Sequence, residues 1–550
     1  MALSRPSVAV LALTAIAALT LLAGNQSYIT LPNSTRRLMA VRSEFLSSEK
    51  PEVGEATRSQ PVVYEISTRP WLYSLAQSGV APKCGDYVCL KDVPDSVWQK
   101  FKDEKADVVW LMGLWELGQI ALKEDKERYQ DWRGDLPDIT PDDVIGSPYS
   151  IIDYTVNPDI GNDDDLAQVR SKLNSMGIKL MVDFVPNHAA KDSKWLAGHT
   201  DIFLARPQND NSPSQWWEQY GDKMLAHGRS PWPSDLWADT FQLNYWSPDT
   251  VTFMTQLLET LASKSDLIRC DMAMLALNDV WQRAWGNVMN EAGFQRPSEE
   301  FWHHAISNAK SKYPDVEFMA EAYNYGISKT PEKELLVQLG FDYVYDKVVL
   351  DNLESGHLDN TRNYIASMSQ DKFMHTMHFV ENHDEPRSAA ALGGPEQAFA
   401  GAVVAQTLPG ARLFFMGEYD GFKSKLVVQL RRASKEPLNP DLHAKYDKLL
   451  DILSDDVFHK GTWTYLPLPS DSWRLIAYKW TLGSSKRLVV VNFSDQQGWG
   501  NVQLSDAEGA GNIDITELLT GVKYQRSAPD LRSSGLTCGV DPWSAQIFEY

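Results

Sequence analysis

The feature that most constrains the fold of this chain is an alternation: short apolar runs of strand length recur between longer segments of helical character. The runs fall at 62–66, 108–113, 178–185, 267–271, 318–321, 341–344, 377–380 and 413–416. One unit shows the pattern in detail. Asp163, Asp164 and Asp165 are placed to cap a helix, Leu166, Val169, Leu173 and Met176 share one face of it, and Gly177 is placed to end it before the next apolar run. Eight such units in about 390 residues predict a (β/α)8 barrel carrying insertions, because barrels of this kind run from about 250 to over 400 residues. A doubly wound open sheet is the structural alternative.

Between the third and fourth runs lies far more chain than one helix needs, so about 188–250 is predicted to be an excursion from the barrel. After a helix expected around 442–453, strand-like runs at 461–468, 473–480, 487–493 and 545–550 predict an antiparallel β domain over 455–550, following a barrel domain over 61–454. Residues 25–60 are polar and lack a sustained apolar period, and they read as a linker or propeptide. Ahead of them Arg5 precedes an uncharged, mostly apolar run from 7 to 24. Residues 1–24 therefore read as a signal peptide, with an uncleaved signal anchor as the alternative and the one expected link to a membrane. Either way the body is expected in the secretory pathway, extracellular or membrane-anchored. Sequons at Asn25, Asn33 and Asn492 fit that route. Cys84 and Cys89 lie close enough to close a small loop, whereas Cys270, inside an apolar run, reads as a buried free thiol.

The formal net charge of -21 repels a polyanion, and no dense Lys/Arg cluster interleaves with aromatics, so nucleic acid is excluded as a partner. A neutral substrate is compatible. In a barrel, polar residues at the C-terminal ends of strands face the active site. Acidic residues end or follow four apolar runs: Asp183 in LMVDFVPNH, Asp271 in LIRCDMAML, Glu321 in EFMAEAYN and Asp384 in HFVENHDEPR. Arg269 and Asp271 are two apart in one strand and project to one side, where the guanidinium is expected to keep the carboxylate ionised as a nucleophile. Glu321 on the next strand, close to negative charge, is expected to hold a proton and act as an acid.

These segments resemble, in order and spacing, the conserved regions of the α-amylase family of glycoside hydrolases, family thirteen in the sequence classification. DFVPNH resembles the first region, IRCDMAM the second, AEAY the third and ENHDEP the fourth. SPYSIIDY resembles the segment after the second strand, QLNYW the motif in the insertion and PGARLFFMGE the segment around the eighth strand. The resemblance implies Asp271 as nucleophile, Glu321 as general acid/base and Asp384 as transition-state stabiliser, with Arg269 and His383 as their fixed partners. It implies Tyr149 and His188 as substrate contacts, Tyr149 by stacking on the sugar. An α-glucan or oligosaccharide is then the expected substrate, cleaved with retention through a glycosyl-Asp271 intermediate.

The chain also departs from the family pattern. Met274 and Leu275 stand where many true α-amylases have Lys and His, which removes a polar floor for the leaving-side sugar. Gln242 stands where the family often has a calcium-binding Asp. Asn187 matches another calcium ligand, but one oxygen falls far short of the six to eight that calcium takes. No cofactor is therefore expected to be required, with calcium kept as an option at Asn187. Two rival functions stand beside hydrolysis: an α-glucosyl transferase of the same family, which shares the covalent intermediate, and a catalytically dead, membrane-anchored interaction subunit.

Overall fold

A computed structural model describes residues 60–232 and 235–550. The expected leader at 1–24, the linker up to residue 59 and the sequons at Asn25 and Asn33 lie outside the described residues. Gln60, assigned to the linker by composition, already belongs to the fold. Its amide nitrogen donates to His459 O at 2.7 Å and its amide oxygen accepts from Gly410 N at 3.0 Å.

All eight apolar runs form strands: β1 (Val62–Ser67), β2 (Val108–Met112), β3 (Lys179–Phe184), β4 (Leu267–Cys270), β5 (Glu317–Ala320), β6 (Tyr343–Asp346), β7 (Thr376–His378) and β8 (Ala411–Phe415). Each pairs in parallel with its sequence neighbours and β1 pairs with β8, so the sheet closes. Closure rules out the doubly wound alternative. Strands with both faces covered carry apolar residues on both, as in VVWLM of β2, where every residue is buried. The helix α1 (Asp163–Ser175) buries Leu166, Val169 and Leu173 as its period requires, with Gly177 at φ +75 beyond its end. Its cap differs from expectation. Asn162, not the Asp run, accepts from the N–H groups of Asp164 and Asp165, and the Asp165 carboxylate reaches back to Asn162 N at 3.2 Å, which satisfies donors at both sides of the helix start.

The excursion after β3 contains the strand His188–Ala190 paired antiparallel with Thr240–Gln242, so that His188 faces Gln242 in register. A second, smaller excursion follows β2, where Trp115–Leu117 pairs with Ile151–Val156. Downstream, α2 (Pro395–Gln406) and α3 (Pro440–Leu453) lead into the C-terminal β region. There β9 (Thr462–Tyr465), β10 (Leu475–Leu482), β11 (Ser485–Asn492), β12 (Gly498–Val502), β13 (Asn512–Glu517), β14 (Lys523–Ser527), β15 (Leu536–Val540) and β16 (Ser544–Glu549) build a six-stranded sheet in the order β9-β10-β11-β16-β13-β14, with β12 and β15 as a separate pair. Alternation divides β10 between two cores: Ile476, Tyr478 and Trp480 join the core that also contains Val404 of α2, and Leu475 and Ala477 pack with Val502 and Val540 of the β12–β15 pair. Tyr478 and Trp480 also donate to the carbonyls of Val404 and Thr407, at 3.1 and 2.8 Å.

Cys84 and Cys89 form a disulfide with Cα atoms 5.5 Å apart, and Cys270 is a buried free thiol. The sequon at Asn492 is a correction. That side chain is fully buried and its Nδ2 donates to the carbonyls of Gln496, Val540 and Asp541 at 2.8 to 3.0 Å, so the nitrogen a glycan would need is enclosed and bonded. Among the described residues, no helix is long and apolar enough to cross a membrane.

Candidate active site

Asp271 and Glu321 are the residues immediately beyond the ends of β4 and β5. The register that pairs Cys270 with Ala320 continues one step: Asp271 N donates to Phe184 O at 2.8 Å and Glu321 N to Cys270 O at 3.0 Å. Neighbouring strands lie about 4.8 Å apart, so the two carboxyl groups emerge side by side at the C-terminal mouth of the barrel. Arg269, fully buried on β4, forks between them, with Nη1 donating to Asp271 Oδ1 at 2.8 Å and Nη2 to Glu321 Oε2 at 2.6 Å. Met272 sits at φ +40, a left-handed conformation that side chains rarely adopt, and its N–H donates to Glu321 Oε2 at 3.0 Å. Tyr323 Oη donates to the other Glu321 oxygen at 3.1 Å.

The electrostatics of this pair differ from the sequence expectation. Burial pushes Asp271 up to about 8; Arg269 opposes the rise, and the negative charge of Glu321 adds to it. Arg269 fixes the geometry of Asp271 without keeping it ionised at neutral pH in the free protein. Asp183, with Oδ1 3.7 Å from the same guanidinium, is pushed up by burial to about 6.

A second group of side chains is organised around His383. Its Nδ1 is paired with Glu65 Oε1 of β1, and its Nε2 lies 3.0 Å from Asp384 Oδ2 and 2.6 Å from Tyr149 Oη. Burial alone would lower the imidazole, but Asp384 and Glu65 on either side raise it well above its ordinary value. Asp384, whose side chain is 46% exposed, is held well below the usual carboxylate range by that imidazolium. Asn382 Oδ1 accepts from the N–H groups of Asp384 and Glu385 at 2.9 and 3.0 Å, a turn that presents the Asp384 side chain to the cavity.

Asp271, Glu321, Asp384, Tyr149 and His188 all line one cavity of about 310 Å³, at the lower end of the size of ligand pockets. Arg269 and His383 stand behind these walls as the supports. The Tyr149 ring lies stacked on His383, 5.5 Å between centroids, while also lining the cavity. His188 is brought in by the excursion after β3, and burial lowers it to about 4, so it is neutral at pH 7. Only glycine fits beside it at 228, where a Cβ would lie 2.6 Å from Thr240 Oγ1 and 3.0 Å from His188 Cβ. Asn187, the expected calcium option, is buried next to His188 with its side chain engaged by Gln242. Sequence reasoning missed Glu65, Trp237, Asp239 and Gln429; the last three line the same cavity. Glu65 carried a signal, as the one charged residue in the apolar β1 run VVYEIS. Asp239 and Gln429 come from turns that carry none, and Trp237 from a two-residue strand paired with Gly228–Arg229, too short to leave a pattern.

A closed (β/α)8 barrel with acidic side chains gathered at the carboxyl ends of strands four, five and seven has the layout of a barrel enzyme. The sequence profile described as "Alpha amylase, catalytic domain" matches residues 138–456, more than half of the chain. The chain belongs to that family. It is 26% identical over 123 residues to an alpha-glucosidase from Culex pipiens, which covers 20% of this chain and 21% of that protein. With an alpha-glucosidase from Apis mellifera it shares 31% over 154 residues, 27% of this chain and 24% of that protein. The chain thus matches about a quarter or less of the length of these curated relatives. Among solved structures, an alpha-amylase from Lactobacillus plantarum shares the fold with a TM-score of 0.64 at 18% identity, covering 90% of this chain and 99% of that one. A maltogenic alpha-amylase from Thermotoga neapolitana does so with a TM-score of 0.65 at 19% identity and the same coverage.

Proposed function

We propose that this protein is a retaining glycoside hydrolase that cleaves α-glucosidic bonds in starch-like or maltooligosaccharide substrates through a covalent glycosyl-Asp271 intermediate. The observation that carries the proposal is the Arg269 fork, which holds Asp271 and Glu321 in adjacent register on the wall of one cavity that Asp384 also lines. Family membership and the α-glucosidase relatives support the substrate class.

In this reading a proton on Glu321 passes to the glycosidic oxygen as that bond breaks, and an oxygen of ionised Asp271 bonds to the anomeric carbon. Substrate binding must therefore leave the proton on Glu321 and the charge on Asp271. The ionised Asp384 faces the positive charge that builds on the sugar ring, and Arg269 stabilises both carboxylates once the proton has left. Glu321, now a base, takes a proton from water as the water oxygen displaces Asp271, returning both groups to their starting states. Retaining enzymes place the two carboxyl groups about 5 to 5.5 Å apart, inverting ones about 6.5 to 9.5 Å. Two carboxyls bonded to the two Nη atoms of one guanidinium favour the closer spacing.

The product is expected to be the α-anomer. Proton NMR of the first-formed sugar from a maltooligosaccharide, taken before mutarotation, reads this, and an initial β-anomer refutes the mechanism. Separating products from starch, glycogen, maltooligosaccharides, isomaltose, sucrose and trehalose tests the substrate class and distinguishes transfer from hydrolysis.

A pH dependence follows as well. Asp271 can attack only as a carboxylate, and burial pushes it up to about 8, so kcat/KM is expected to climb as pH rises toward about 8. A kcat/KM that is already at its plateau at pH 5 would contradict this assignment.

A further inference from the structure

Gln242 is fully buried in the excursion after β3. Its Nε2 donates to Asn187 O at 2.7 Å, to Asn187 Oδ1 at 2.9 Å and to Leu243 O at 3.2 Å, while its Oε1 accepts from Arg229 N at 3.3 Å. Two of the three acceptors are backbone carbonyls, which can only accept, so the position of the nitrogen is forced. Three oxygens from two stretches of chain converge on one nitrogen.

Calcium does not fit this donor set. The ion takes six to eight oxygens at about 2.3–2.6 Å, usually including carboxylates. Here the converging oxygens are neutral, three in number and already bonded to an amide. Among the described residues no group of three or more His, Cys, Asp or Glu is placed to hold a metal.

The consequences pass on through Asn187. Because Gln242 Nε2 can only donate, the Asn187 oxygen faces it and the Asn187 Nδ2 faces His188 Nδ1, 3.3 Å away. Nδ2 is itself only a donor, so His188 Nδ1 must accept, and the neutral ring carries its proton on Nε2. We propose that Gln242 is a positioning residue whose carboxamide, in the place of a divalent cation, ties the excursion to the chain leaving β3 and, through Asn187, sets the tautomer of His188 in the cavity wall. The relevance of His188 to turnover rests on the function proposed above; the clamp itself does not.

The test is a set of melting curves of the folded protein in EDTA and in millimolar calcium. The wild type is expected to melt at the same temperature in both. Gln242→Leu, which fills the space but donates nothing, is expected to melt several degrees lower in both, because buried carbonyls lose their donor. Gln242→Asp is expected to melt lower in EDTA and to recover with calcium, a rescue that a merely space-filling side chain would not give. Destabilisation of the wild type by EDTA, an unchanged melting point for Gln242→Leu, or no calcium response in Gln242→Asp would each overturn the proposal. Melting curves do not depend on glycosidase activity, so failure of the clamp and failure of the functional reading remain separable. Where activity is found, the same variants are expected to raise KM more than they lower kcat, with calcium reversing the change in Gln242→Asp alone.

Discussion

Asp271→Asn is expected to lower turnover by roughly 10⁴- to 10⁶-fold, the range seen when one member of a catalytic unit is removed. The substitution keeps the volume and one acceptor for Arg269 Nη1, so the fold should survive and circular dichroism should match the wild type. What it removes, on the proposed mechanism, is the oxygen nucleophile. Glu321→Gln should cost less, about 10²- to 10⁴-fold, because a positioned acid contributes that much and a good leaving group can depart without it. Donors of graded leaving-group ability separate the two roles: α-glucosyl fluoride should restore the first step in Glu321→Gln but not in Asp271→Asn. A smaller variant, Asp271→Gly, adds a positive test. Azide occupying the vacated space would attack the anomeric carbon from the side Asp271 used, giving a β-glucosyl azide. Near wild-type turnover in Asp271→Asn, or an α-azide from Asp271→Gly, would remove Asp271 from the nucleophile's role.

The barrel was legible in the sequence because its strands are buried on both faces and their apolar runs are uninterrupted. Phe318, Met319 and Ala320 of β5, for example, are all fully buried. One acidic residue ending such a run is more often a cap or a solvated loop residue; Asp271, Glu321 and Asp384 stood out as a set in ordered motifs, and the fold brings them to one cavity. The strands β12 to β15 were not legible. β14, KYQRS, buries no residue fully, and β12, GWGNV, exposes its middle, so neither shows a sustained alternation. The Glu65 partnership spans 318 positions and joins the first strand to the loop after the seventh, a contact that only closure of the barrel creates. Asn492 shows the opposite failure: a three-residue pattern is blind to whether the strand bearing it is buried. The neighbour Arg269 is visible in the sequence but the desolvation of Asp271 is not, and where the guanidinium itself is fully buried that desolvation outweighs its attraction.

Arg269→Met is expected to destabilise the protein by about 3–5 kcal/mol at pH 8, the range for removing one partner of a buried ion pair. Met keeps the unbranched stem of the side chain and is apolar, but it ends about where Nε lies, short of the guanidinium carbon that the Trp110, Tyr149 and Tyr345 ring centroids surround at 5.3 to 5.7 Å. What remains is Asp271 and Glu321 side by side with no cation between them and Asp183 close behind. A carboxyl whose folded pKa lies above its unfolded value near 4 loses folded-state stability as pH rises through that interval. Asp271 already has this sense in the wild type, since it stands at about 8, and removing Arg269 pushes it higher still. The difference between variant and wild type must therefore grow with pH and shrink toward pH 5, where Asp271 is protonated in both proteins. Denaturant unfolding at pH 5 and pH 8 reads this directly. A loss below about 1 kcal/mol at pH 8 would mean that the guanidinium carries little of the pair's charge. An equal loss at both pH values would mean that Arg269 acts by packing alone.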